Sequence, residues 1–239
     1  MSSPYRLCID SYPPGEGFRS GLSSGEPSPV RMPTEELAFA ADRKWQNGQE
    51  LRIRFLDGDT ETHKRIQRHA ETWLKYANLH FTFGNSPRAE IRISCSGEGY
   101  WSYVGRDAEK VHPSEPTMVL AFPEDVEEQE FRGTVLHEFG HAIGCVHEQA
   151  SPAARIPWDE EKVYAYYRKW HGWDRAKTFQ NVLLRYSATE VQHTRHDPHS
   201  IMQYAVPAEL TIGGFTVGWN NELSEGDIAF ISHMYPGRA

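Results

Sequence analysis

Residues 137–148 read His137-Glu138-Phe139-Gly140-His141-Ala142-Ile143-Gly144-Cys145-Val146-His147-Glu148. His137 and His141 stand four apart, so on a helix both imidazoles leave one face and can meet a single ion. Leu136, Phe139 and Ile143 fall on other faces and anchor that helix in a core. A further ligand from the same helix would reach the ion poorly. Gly144 removes the difficulty, because glycine accepts positive φ, ends the helix and lets His147 arrive from another direction. Three neutral histidines give Zn²⁺ three ligands and leave an open position for water. Glu138 follows the first ligand, rotated by about 100° around the helix. There it can take a proton from water whose pKa the metal lowers to roughly 7, and return it to a leaving amine. Two surface histidines sharing a helix face would account for His137 and His141, but not for Gly144 and His147 at these offsets.

On the N-terminal side, the acidic run Glu124, Asp125, Glu127, Glu128 and Glu130 suits the positive end of this helix's dipole and is read as its start. Leu51-Arg52-Ile53-Arg54-Phe55 alternates apolar and polar residues, the pattern of a half-buried strand. Asp59 or Thr60 then caps a helix in which Ile66, Ala70, Trp73, Leu74 and Ala77 recur at helical spacing. Leu79–Phe83, Glu90–Ser94 and Met118–Phe122 read as further strands, which predicts a sheet with a helix laid on it. On the C-terminal side, Asp159 caps a segment rich in Tyr and Trp, and Ser224 with Asp227 forms a capping-box pattern opening a last helix through Met234. A second cluster, His196-Asp197-Pro198-His199-Ser200-Ile201-Met202-Gln203-Tyr204, lies between them. Taken alone, its Met202 is a core residue and its Tyr204 a half-exposed aromatic.

Composition bounds the function. The 239 residues carry 25 Lys and Arg against 33 Asp and Glu, a net charge of -8 that repels nucleic acid and anionic membranes on average. The aromatic-basic stretch Tyr166-Tyr167-Arg168-Lys169-Trp170-His171 is accordingly read as a packed amphipathic helix, with no nucleic-acid partner. No apolar run approaches the ~20 residues of a membrane span, and the first residues lack the apolar segment of a secretory signal. The three cysteines cannot build a disulfide scaffold. Residues 11–33 are crowded with Pro, Gly and Ser, so residues 1–33 are expected to be a flexible extension and a candidate pro-segment.

The His-Glu-x-x-His-x-x-Gly-x-x-His run and the Met-containing segment downstream resemble the metzincin zinc endopeptidases. Glu148 after the third histidine, Gly133-Thr134-Val135-Leu136, Trp101-Ser102-Tyr103-Val104-Gly105-Arg106 and Ser200-Ile201-Met202-x-Tyr204 make the resemblance astacin-like, over roughly residues 45–236. It implies an α+β fold, catalytic from residue 34 to 239. The upper half, to about His147, would be a twisted mixed sheet with two helices; the lower half would be irregular and helical and carry the Met-turn. It also implies a zinc-dependent endopeptidase with one catalytic Zn²⁺ on His137, His141 and His147, and Glu138 as base and then acid. Tyr204 would be a weak extra ligand that swings to the oxyanion, and Met202 the floor beneath the imidazoles. Glu148 would meet a matured N-terminus, and Trp101, Ser102 and Tyr103 would form an edge strand pairing with extended substrate.

The family's usual pair of disulfides cannot be built from Cys8, Cys95 and Cys145, so the resemblance is to a disulfide-poor microbial relative. Cys8, with Asp10 beside it, is a candidate latency ligand that would occupy the open metal position. The resemblance implies secretion; a complete chain without a signal segment implies an intracellular place. The substrates are proteins or peptides, and the chain is expected to act as a monomer. Its alternative function is that of a non-catalytic, zinc-containing peptide binder, which the presence of both Glu138 and Tyr204 disfavours. A matrixin-like enzyme with structural calcium is disfavoured by Glu148 and the lack of an Asp/Gly-rich loop. The pocket for the residue after the scissile bond is expected in loops around 175–215.

Overall fold

A computed structural model describes residues 38–39, 41–186, 192–193 and 195–237. Strands β1 (Ala38–Phe39) and β7 (Gln192–His193) pair with each other in a separate two-stranded ladder. The main sheet contains β2 (Glu50–Phe55), β3 (His80–Phe83), β4 (Ile91–Ser94), β5 (Tyr100–Ser102) and β6 (Met118–Leu120), in the order β3-β2-β4-β6-β5. All neighbours are parallel except β5, which runs antiparallel to β6 and forms one edge. The helices are α1 (Thr60–Ala70), α2 (Glu128–Ala142), α3 (Glu160–His171), the short α4 (Arg175–Thr178) and α5 (Glu225–Met234).

The alternation in β2 buries Leu51 and Ile53 and leaves Arg52 to pair with Glu90. In β4 both faces are covered. Ile91 and Ile93 point to the core, while the buried Arg92 donates to the carbonyls of Ala89, Val111 and Glu115 and so ties down the loop behind the edge strand. Asp59, not Thr60, caps α1, accepting from the amides of Glu61 and Thr62. The helix stops at Ala70, short of the expected Ala77, and Trp73–Lys75 tighten into a 3₁₀ turn. That turn brings the buried Trp73 Nε1 within 3.0 Å of the Leu136 carbonyl on α2.

Helix α2 lies in the main core through Phe131, Val135, Leu136 and Phe139. Its last carbonyls, which have no partner within the helix, accept from distant side chains: Trp45 Nε1 at 2.8 Å to Ala142 and Tyr235 Oη at 2.7 Å to Ile143. Beyond His147 the chain is irregular. Asp159 caps α3 and Gly172, at φ 67°, closes it. The aromatic-basic stretch is indeed packed, with Tyr166 and Tyr167 in a small cluster around Val163, Trp173 and Leu210. Helix α5 opens with the expected capping box of Ser224 and Asp227. Its Phe230, Ile231 and Met234 rejoin the main core, so packing returns the chain's end to the first half.

Candidate metal centre and active site

Helix α2 carries His137 and His141 on adjacent turns, with ring centroids 4.8 Å apart. Gly144 has φ 112°, a left-handed conformation that glycine adopts readily. The turn it makes sends the chain back, and His147 Nε2 lies 3.2 Å from His137 Nε2 and 3.0 Å from His141 Nε2. Their tautomers follow from the other ring nitrogen. His137 Nδ1 donates to the Ile201 carbonyl at 2.7 Å and His141 Nδ1 to the Cys145 carbonyl at 2.9 Å. A carbonyl only accepts, so both Nε2 atoms are lone pairs aimed at His147. Burial and the neighbouring His147 push the His137 pKa down to about 3, which keeps it neutral. Lone pairs gathered this closely suit one borderline-soft cation, and three nitrogens with an open side suit Zn²⁺.

The segment after Asp197 completes the centre from below. Met202 is fully buried under α2, and the Tyr204 ring lies 4.3 Å from that of His147. Glu148 is buried; its amide donates to the Met202 carbonyl and its Oε1 accepts from the Asp197 amide at 3.0 Å. Asp227, at the start of α5, holds the turn through the Ser200 hydroxyl at 2.7 Å and the Ile201 amide at 2.8 Å. A hydrogen-bonded path thus runs from the Asp227 carboxylate through the Ile201 backbone to His137 Nδ1. His196 Nε2 meets Gln203 Oε1 at 2.8 Å and the His199 amide donates to Asp197, so both remain turn residues. Glu138 is 1% exposed and borders, with His137 and Tyr204, a cavity open to solvent.

A model of the astacin peptidase family matches residues 39–236. The chain belongs to the astacin family. Among solved structures, one of myroilysin is 36% identical, with a TM-score of 0.82 over 84% of this chain and 100% of that one. A second myroilysin structure is 32% identical, with a TM-score of 0.69 over 98% and 92%. High choriolytic enzyme 1, a hatching-enzyme zinc-protease from the medaka fish Oryzias latipes, shares the fold at 18% identity and a TM-score of 0.56, over 82% and 96%. No curated protein matches the chain significantly. The protein is therefore a zinc-dependent endopeptidase with the α+β astacin fold, acting on peptide substrates. Among the described residues no helix is long and apolar enough to cross a membrane.

In this astacin domain the residues expected at the cleft come together unevenly. Trp101 and Ser102 lie in the edge strand β5, and Tyr103 follows it, its ring edge-on to Trp101 at 5.7 Å. Cys8 and Asp10 lie outside the described residues; Cys95 and Cys145 are free thiols. Among the described residues, the cavity beside the histidines draws only Ile201, Gln203 and Tyr204 from the span 175–215. Its other walls are α2, Tyr100 of β5, and Trp219 with Asn220. Three contributors escaped the sequence reading. Gly140 gives Met202 its place, because a Cβ there would overlap Met202 Sδ and crowd Trp73. A glycine inside a helix, which costs about 1 kcal/mol against alanine, was the available signal. Asp227 was legible only as a capping residue, and Trp219 carried no pattern at all.

Proposed function

We propose that His137, His141 and His147 are the zinc ligands of this endopeptidase and that Glu138 serves as general base and then acid. The convergence of the three Nε2 atoms beside a buried Glu138 carries the reading. When bound, the zinc acidifies water and polarises the scissile carbonyl. Glu138 takes the water's proton and delivers it to the leaving nitrogen. The Tyr204 hydroxyl, on a ring packed beside His147, donates to the oxyanion as charge develops. Met202 supports the imidazoles from below, and Gly144 and Glu148 fix the chain on either side of His147. An extended substrate adds to the free edge of β5 at Trp101, Ser102 and Tyr103, with backbone bonds supplying affinity.

The catalytic unit runs from residue 34, in keeping with a family match that starts at 39. Residues 1–33 act as a pro-segment whose Cys8 thiolate, or Asp10, takes the open metal position until it is removed. The domain works as a monomer, and its net charge of -8 keeps nucleic acid from the cleft. The decisive experiment is Glu138→Gln. Zinc content stays at one per chain while kcat falls about 10²- to 10⁴-fold; equal activity overturns the mechanism. For the latch, Cys8→Ala raises the activity of the full-length chain, and no rise removes Cys8 from it.

A further inference from the structure

Resting on the catalytic assignment above, we infer that Trp219 and its loop wall the pocket for the side chain just after the scissile bond, and that this pocket selects an uncharged, apolar residue. Glu138 must hand its proton to the leaving nitrogen, and that nitrogen belongs to the residue after the bond. The cavity that Glu138 borders is therefore the one facing this residue. Its other walls include Thr134 of α2, Tyr100, Ile201 and the partly exposed Trp219. No Lys, Arg or Asp among the described residues lines it.

The wall is built rather than incidental. Asn220 Nδ2 donates to the carbonyls of Pro198 at 2.9 Å and Ser200 at 2.8 Å, fastening the loop to the Met-turn. From the other side, Arg132 Nε donates to the Asn221 carbonyl at 3.0 Å and its guanidinium pairs with Glu222 at 2.7 Å. Gly133 lets the loop press onto α2, since a Cβ there would come 2.6 Å from Asn221 Oδ1. Trp219 is thus held 39% exposed on a loop anchored at both of the elements that carry the metal site. The same anchoring pairs Arg132, which is not among the cavity's lining residues, with Glu222.

Selection follows from charge. An acidic side chain entering here loses water, meets no cationic side chain and approaches the Glu138 carboxylate. A basic one would pair with Glu138 and hold its proton-accepting oxygens. An apolar side chain only exchanges water for the Trp219 and Ile201 surfaces.

The test uses the zinc-loaded, processed enzyme and peptides identical but for the residue after the cleaved bond. Leucine or phenylalanine there is expected to exceed aspartate and lysine in kcat/KM by at least about tenfold. In Trp219→Ala the ratio of leucine to alanine peptides falls about threefold or more, and Trp219→Phe restores most of it. Equal or greater cleavage before aspartate overturns the pocket assignment, as does an unchanged ratio in Trp219→Ala. Failure to cleave any peptide instead overturns the catalytic assignment, and this inference with it.

Discussion

His137 and His141 ride on a helix sealed into the main core by Phe131, Val135 and Phe139, whereas Met202 and Tyr204 sit in a turn that no helix or strand contains. The first arrangement is secured by apolar area. The second shares that core only through Ile201 and Met202 and is secured in addition by buried polar atoms: Asp227 accepts from the Ser200 hydroxyl and the Ile201 and Ser224 amides, and Asp197 accepts from the Ser224 hydroxyl and the His199 amide. Apolar packing is tolerant and contributes bulk stability. A polar hub contributes less net free energy but fixes geometry, because each donor has one acceptor in one place.

The widest separation of the two should come from Trp73→Ala. Trp73 is fully buried between α1 and α2 and holds the Leu136 carbonyl, so its loss costs about 3–5 kcal/mol of global stability, read by urea unfolding. Asp227→Ala should cost somewhat less, about 3 kcal/mol, by stranding two buried donors and a third, the Ser224 amide, that is partly buried. Its distinctive mark is on function: folded Asp227→Ala binds zinc more weakly, because the Ile201 carbonyl that orients His137 moves. Folded Trp73→Ala keeps its zinc affinity more nearly. If both variants lose zinc affinity in proportion to stability, the two halves are one unit and the contrast is wrong.

The same contrast explains what could be read from the sequence. Period-2 alternation in Leu51–Phe55, the cap at Asp59 and the His137, His141, Gly144, His147 spacing are local patterns, and each appears in the structure as a strand, a capped helix and a set of converging nitrogens. The hub is not local. Asp227 and Ser200 are 27 residues apart, and a carboxylate in a capping box gives no sign that it also serves a distant amide. Strands and helices end earlier than their apolar patterns for a related reason. Phe122 leaves β6 to stack on Phe131 at 4.1 Å, a tertiary contact that overrides β propensity.

Titration offers a sharper probe of the hub. Burial pushes the Asp227 carboxyl up to about 6, outweighing the pull of the Ile201 amide, the Ser200 hydroxyl and the Ser224 amide, with the Asp197 charge adding to the rise. An unfolded Asp titrates near 3.9, so between these values the folded state holds more protons and stability from this group falls as pH rises. Asp227→Asn has no such titration. The stability advantage of the wild type over Asp227→Asn should therefore be larger at pH 4.5 than at pH 7, by about 2 kcal/mol. An advantage that grows with pH would mean that the donors outweigh burial, making the hub an electrostatic anchor.

Gly140 is where the two regions touch, and Gly140→Ala should have the smallest effect on stability and a disproportionate one on the site. Alanine gains about 1 kcal/mol in helix propensity at this position. Against that, its methyl would overlap Met202 Sδ and press on Trp73, a cost of about 1–3 kcal/mol for overpacking. Trp73 is locked by its bond to Leu136, so Met202 is the side that yields, being unbranched and carried by the irregular turn. Global stability should then change by only about 1 kcal/mol, while displacement of Met202 carries the Ile201 carbonyl away from His137 Nδ1 and weakens zinc binding. A zinc titration monitored beside urea unfolding separates the two. Intact affinity with a large loss of stability would place the compliance in α2, and the rigid partner would then be the turn.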